Sequence, residues 1–168
     1  MAVTIHPNGK IDGLNNNNFR ASMPSGSVLQ VVKATKTNST QISANSTWTD
    51  VGLEVSITPK LSNSLIYLLL TARAGNDTSS SNGIRVIKDG ATVIMGGDDY
   101  LHNYAYNIGG NRPCGDFSEA FFNSPSTTSA VVYKVQCRVT NGHFTFNGRG
   151  GETNAAKDCY LIATEIAQ

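Results

Sequence analysis

Charge is scarce in this chain. Only 15% of its 168 residues are charged and the formal net charge is +1. That balance leaves no basic footprint for nucleic acid and no acidic solvating tail. No nucleic-acid partner is expected. Histidine is as rare, with His6, His102 and His143 the three present. A triad needs a nucleophile, a base and an orienting group brought together, and none of the many serines sits in a G-x-S-x-G elbow. Gly109-Gly110 and Gly148-Arg149-Gly150-Gly151 lack the strand, glycine loop and helix context of a phosphate cradle. The acids Glu54, Asp77, Asp116, Glu119 and Glu152 stand isolated along the chain, not paired as a depolymerase cleft requires. No enzymatic activity and no cofactor are expected.

Long apolar runs are missing too. Nothing approaches the roughly 18–20 apolar residues of a bilayer span, so no membrane insertion is expected. Met1-Ala2-Val3-Thr4-Ile5-His6-Pro7 lacks the basic region and apolar core of a secretory signal, and the expected site of synthesis is a cytoplasm without export by the usual route. Cys114, Cys137 and Cys159 are odd in number and show no metal-like C-x-x-C spacing. Cys137 and Cys159 fall inside strand-like runs, where a buried thiol serves as a small hydrophobe.

What fills the polar positions is Asn, Ser, Thr and Gly. Their short side chains compete for backbone hydrogen bonds and favour turns and pleated strands over helix interiors. Residues 1–26 form a separate region. Asn8-Gly9 and Asp12-Gly13 are turn signals, Asn15 to Asn18 is a polyasparagine run, and Pro24-Ser25-Gly26 closes the segment. Its apolar residues, Ile5, Ile11, Leu14, Phe19 and Met23, are too few for a core of their own. They are the expected contacts of an extended arm with another protein.

From residue 27 to 168 short strand-like runs recur between turns. Val28 to Val32 opens the series. Leu53, Val55 and Ile57 alternate with Glu54, Ser56 and Thr58, the period of a half-buried strand, and Pro59 stops it. The continuous run Leu65 to Leu70 suggests a strand buried on both faces. Asp89-Gly90 between apolar runs predicts a hairpin, and Asn141-Gly142 before Phe144-Thr145-Phe146 predicts a second. Strands are expected near Asp116–Phe122, over Ala130–Thr140 with Val131, Tyr133, Val135, Cys137 and Val139 on one face, and over Asp158–Ala167. Eight to ten strands at this spacing indicate an all-β sandwich or jelly roll.

Several segments together resemble a known family. Gly26-Ser27-Val28-Leu29-Gln30-Val31-Val32 resembles the opening of a domain found in tail-fibre-like virion surface proteins of marine, cyanophage-type tailed bacteriophages. Val55-Ser56-Ile57-Thr58-Pro59 with Ser62-Asn63-Ser64-Leu65-Ile66 is similar to that family's SITP…S-S-K-I segment, with Leu65 where Lys is usual. Asn123-Ser124-Pro125-Ser126-Thr127-Thr128-Ser129 and Tyr133-Lys134-Val135-Gln136 resemble its DSP-x-TTS…YKVQ signature, and Ala163-Thr164-Glu165-Ile166 its closing x-x-EI. The arm is loosely similar to the T-I…G-x-I-x-G leader of many phage fibre proteins. The resemblance covers residues 26–168 in blocks. It implies a C1q-like jelly-roll head that works as a homotrimer.

Residues 96–114 match none of the family's blocks. Within them Asp98, Asp99, Tyr100, His102, Tyr104 and Tyr106 form the candidate site. Two adjacent carboxylates are hard ligands suited to Ca²⁺, and three tyrosines can stack on sugar rings. Packing against a neighbouring subunit is the third use of the same residues, and no metal is assigned. Three functions follow for the whole chain. The first, which the resemblance implies, is a tail-fibre or receptor-binding head held to other virion proteins by residues 1–26, with a host glycan or receptor as expected partner. The alternatives are a capsid decoration protein stapling coat subunits as a trimer, and a lectin-like glycan-binding module. Both virion readings place it on the virion surface after assembly in the host cytoplasm.

Overall fold

The computed structural model describes residues 4–5, 11–12, 23–44, 47–77, 82–96, 114–149 and 158–168. Two short strands lie near the N-terminus, β1 (Thr4–Ile5) and β2 (Ile11–Asp12), and pair antiparallel. Ten more follow. They are β3 (Val28–Lys36), β4 (Thr40–Ser43), β5 (Thr49–Ile57), β6 (Leu65–Asn76) and β7 (Asn82–Lys88). After them come β8 (Thr92–Met95), β9 (Cys114–Asn123), β10 (Val131–Val139), β11 (His143–Phe146) and β12 (Cys159–Ile166). Among the described residues there is no helix.

The pairing is nested. β3 pairs with β12, β4 with β11, β5 with β10, β6 with β9 and β7 with β8, all antiparallel. Lateral pairs β12·β6, β11·β6 and β10·β7 then gather the strands into two sheets. The smaller has the order β5-β10-β7-β8. In the larger, β6 carries β9 along one side, while β12 and β11 lie end to end along the other. The two antiparallel sheets form a sandwich.

Alternation builds the core. On β5 the side chains of Val51, Leu53, Val55 and Ile57 are buried, and on β10 those of Val131, Tyr133, Val135, Cys137 and Val139. They meet Ile66, Leu68 and Leu70 of β6, Phe144 and Phe146 of β11, and Leu161 and Ala163 of β12. Cys137 and Cys159 are buried and free, as anticipated, and Cys114 is exposed and free. Burial pushes both buried thiols above their usual range, helped at Cys137 by the neighbouring Cys159. Tyr133 fills the space between the sheets, and its hydroxyl donates to Asn123 Oδ1 at 2.8 Å. Burial raises that phenol beyond the ordinary tyrosine value.

The Asp89-Gly90 hairpin forms as expected. Lys88 stands opposite Thr92, and both turn residues take positive φ, 49° and 83°. Two other expectations need correction. Asn141-Gly142 does turn the chain, with Gly142 at φ 65°, but the strands it joins do not pair. β10 belongs to the smaller sheet, and β11 crosses to the larger one between β4 and β6. Phe144, Thr145 and Phe146 are all buried there, and a hairpin on the outer sheet edge could not cover them. The Leu65 to Leu70 run is buried on one face only. Leu65, Tyr67 and Leu69 point to the other face and stay half-exposed, since nothing in this chain's described residues is layered over it.

Candidate functional site: the two ends of the sandwich

The strand registers give the sandwich two different ends. At one, Val28 starts β3 opposite Ile166, Ile166 pairs with Leu65, and Ile66 pairs with Asn123. Ile57, the last residue of β5, faces Val131 there. Residues 23–27 lead into β3 at this end. Ser27 N donates to Pro24 O at 3.1 Å, and Gly26 has φ 89°. This is a turn that requires glycine at its third position. Gly26 N donates to Ala167 O at 2.8 Å and Ala167 N to Ser27 O at 2.9 Å, tying arm and C-terminus together.

A fully buried carboxylate organises the same end. Glu165 Oε1 accepts from Lys60 N at 2.6 Å, Leu61 N at 3.1 Å and Ser64 Oγ at 2.6 Å. Its Oε2 accepts from Gln30 Nε2 at 2.6 Å, and the same amide donates to Thr58 O at 2.7 Å. Burial of these two oxygens is tolerable because four donors are aimed at them. Gln30, Ser64 and Glu165 come from three of the sequence blocks described above. Asn123 and Tyr133, joined through the phenol, come from the remaining signature. These residues therefore hold the fold at the arm end.

The opposite end is where β6 stops at Asn76, β9 begins at Cys114, and Ser43 faces His143. Asp77 lies just beyond β6. Its Oδ1 accepts from His143 N at 2.6 Å, and its Oδ2 lies 2.6 Å from His143 Nδ1. Burial alone would raise this carboxyl. The His143 backbone N–H, the imidazole and its charge outweigh that and bring it below the usual carboxylate range.

The two outer faces of the sandwich differ in chemistry. On the smaller sheet Arg85 Nε donates to Gln136 Oε1 at 2.9 Å, and Gln136 Nε2 donates to Asp50 Oδ1 at 2.5 Å. Lys134 reaches both Glu54 and Asp50, at 3.3 and 3.4 Å, and hydrogen bonds to these two carboxylates raise its pKa. Towards the far end Trp48 sits with the Cζ atoms of Arg85 and Arg138 at 4.4 and 5.0 Å from the ring centroid. Gly83 leaves room for it, because a Cβ there would lie 2.9 Å from the indole tip.

The outer face of the larger sheet is apolar where it nears the arm. Its cross-strand rows read Val28, Ile166, Leu65, then Val31, Thr164, Tyr67, Phe122, then Lys33, Ile162, Leu69, Ala120. Among the described residues the exposed large hydrophobics are Val28, Val31 and Phe122, at 55, 59 and 58%, and all three belong to these rows. The rows turn polar towards the far end, with Thr71 beside Ser118 and Arg73 paired to Asp116 at 2.6 Å. A shallow pocket of about 180 Å³ lies there, lined by Thr71, Ala72, Arg73, Asp116 and Asp158. That is below the volume of a usual small-molecule site.

Of the residues singled out from sequence, Asp98, Asp99, Tyr100, His102, Tyr104 and Tyr106 lie outside the described residues, as do Leu14 and Phe19. Ile5 and Ile11 are placed in β1 and β2 and are partners in the backbone register. Met23 is half-buried immediately before the turn. The segment 97–113 is followed by β9, which starts at the end opposite the arm. Sequence reasoning missed the Asp77–His143 pair, the Trp48 cluster and the Glu165 socket. Each joins residues far apart in the chain, and no local pattern announces them. No known family model matches the chain, and no curated protein matches it.

Proposed function

We propose that the chain is a non-enzymatic structural protein of a bacteriophage virion surface, a tail-fibre or receptor-binding head anchored by residues 1–26. One observation carries this reading. The arm and C-terminus meet at one end of the sandwich, while β9, the strand that follows the tyrosine-rich segment, begins at the other. A molecule held at one end and presenting loops at the other is the arrangement a receptor-binding head needs.

The head is a C1q-like jelly roll in this reading. Its support is the nested pairing of first with last strand through to β7 with β8, the pattern of one long hairpin rolled into two sheets. The head works as a homotrimer. The exposed apolar rows of the larger sheet support that, since a patch of this kind marks an interaction surface. A host glycan or receptor meets Asp98, Asp99, Tyr100, His102, Tyr104 and Tyr106. Capsid decoration is the second reading, favoured by the turn at Pro24–Ser27, which joins arm to β3 directly with no shaft between them.

Replacing Tyr100, Tyr104 and Tyr106 together by Ser is the test. The receptor-binding reading expects particles that assemble normally and adsorb poorly to the host. Normal adsorption removes it, and gold labelling on the capsid would then establish decoration instead.

A further inference from the structure

The register of β12 on β3 sets Cys159 directly opposite Lys36. Opposed residues of an antiparallel pair share one face of the sheet, with Cβ atoms about 4.5–5.5 Å apart. Here both side chains are buried. A buried lysine calls for a partner, and Lys36 Nζ donates to a neutral one, Asn38 Oδ1, at 2.9 Å. Burial draws this ammonium below the ordinary lysine value, against the charge of a Cys159 thiolate. Burial likewise raises the Cys159 thiol, against a hydrogen bond from the Arg73 backbone and the charge of Lys36. Each group feels the other, and burial favours the neutral amine, which is the nucleophilic form.

A gap in the larger sheet brings solvent beside this pair. β12 pairs with β6 as far as Tyr160 and Thr71, and β11 takes over only at Phe146 and Ala74. The shallow pocket of about 180 Å³ opens at this junction, with Ala72, Arg73 and Asp158 in its lining. Asp158 is the chain neighbour of Cys159. Hydrogen peroxide, little larger than water, fits such a space.

We propose that Cys159 and Lys36 are a modification site, at which peroxide drives a covalent Sγ–Nζ link, a sulfenamide, between the last and first strands of the head. Peroxide first transfers one oxygen to Cys159 Sγ, giving a sulfenic acid and one water. The Lys36 Nζ lone pair then attacks Sγ and the S–O bond breaks. The departing hydroxide takes a proton from the nitrogen and leaves as a second water. Sulfur loses two electrons and peroxide gains them. The product holds β3 against β12 at the end of the sandwich opposite the arm. Thiols reverse it, and while it lasts the sulfur is shielded from irreversible oxidation. Nothing in this chemistry depends on the virion reading.

The test treats the full chain with hydrogen peroxide, blocks the remaining thiols by alkylation, and maps tryptic peptides by mass. The expected product joins the peptides of Lys36 and Cys159 at their summed mass less two hydrogens. Trypsin no longer cuts after residue 36, and dithiothreitol restores both peptides. A Cys137–Cys159 disulfide, an unmodified Cys159, or a linked pair carrying an extra oxygen overturns the proposal. So does a sulfinic Cys159 in the parent beside normal cleavage at Lys36. The variant Lys36→Arg keeps the cation but removes the amine. It is expected to give no link and to accumulate sulfinic acid at Cys159 several-fold faster than the parent, whereas equal accumulation overturns the protective link.

Discussion

Ser64 Oγ donates to Glu165 Oε1 at 2.6 Å across 101 residues of sequence. The serine lies just ahead of β6 and the glutamate near the end of β12, and both are buried. Replacing Glu165 by Ala leaves the donors of Lys60, Leu61, Ser64 and Gln30 without their acceptor. The expected loss is about 3–5 kcal/mol of unfolding free energy, the scale for breaking a buried charged network. Ser64→Ala removes one donor and is expected to cost about 1–3 kcal/mol. Urea unfolding of both variants and of the double variant checks this, and strictly additive losses would argue against the shared network.

The Asp77–His143 contact sets an acid dependence. A carboxyl held below its usual value of 3.8 binds fewer protons in the folded than in the unfolded chain. Its stabilisation is therefore complete above that value and is lost as pH falls through the lower folded one. Asp77→Asn is expected to be less stable than the parent at neutral pH by about 1 kcal/mol. The gap should close as the solution is acidified below 3.8. Unfolding midpoints measured from pH 7 downward give the answer, and a gap that widened in acid would contradict the pairing.

Trp48 is the chain's one tryptophan, so its emission reports a single place. Gly83→Ala puts a Cβ 2.9 Å from the indole tip, closer than the pair can tolerate. The ring must move off Arg85 and Arg138. The expected result is a shifted emission maximum with the head still folded, at a cost of about 1 kcal/mol. An unchanged spectrum would place the indole elsewhere.

Thiol reactivity follows burial. Cys114 is exposed, whereas Cys137 and Cys159 lie in the core with their thiols held protonated. One thiol per native chain is expected to react promptly with a disulfide reagent, and the remaining two only as the sandwich opens. Three prompt reactions would contradict the packing of β10 and β12.

Much of the fold could be read from local patterns. The alternation of Leu53, Val55 and Ile57, and of Val131 to Val139, places one face of each strand in the core because successive side chains point to opposite sides. Asp89-Gly90 could be read for the same reason, since its strands are adjacent and the turn residues decide the outcome. Asn141-Gly142 has equal turn chemistry and a different result. A turn sets a few dihedrals, but the pairing of Phe144 and Phe146 depends on space between the sheets, supplied by residues near positions 42 and 75. The continuous apolar run Leu65 to Leu70 predicts two buried faces, and the described residues cover only one. That excess of apolar residues on the open face is what the proposed trimer addresses.

The site was less legible than the fold. Tyrosines and paired aspartates in residues 98–106 draw attention by composition alone. Glu165 sits in an unremarkable Thr-Glu-Ile, and Asp77 in an Asn-Asp-Thr that reads as a turn. Their importance lies in contacts made only when distant strands align. Registers, not motifs, revealed the two ends of the molecule.

The central proposal is that the chain is a virion surface head, attached through the end where residues 23–27 meet the C-terminus and presenting the opposite end outward. A cryo-EM map of the proposed phage particle at a resolution that resolves strands tests it most directly. The account predicts residues 1–26 in density against another virion protein, with Asp77, His143 and the start of β9 facing away from the particle. A head seated with Asp77 and His143 against the particle and its arm end outward would contradict it.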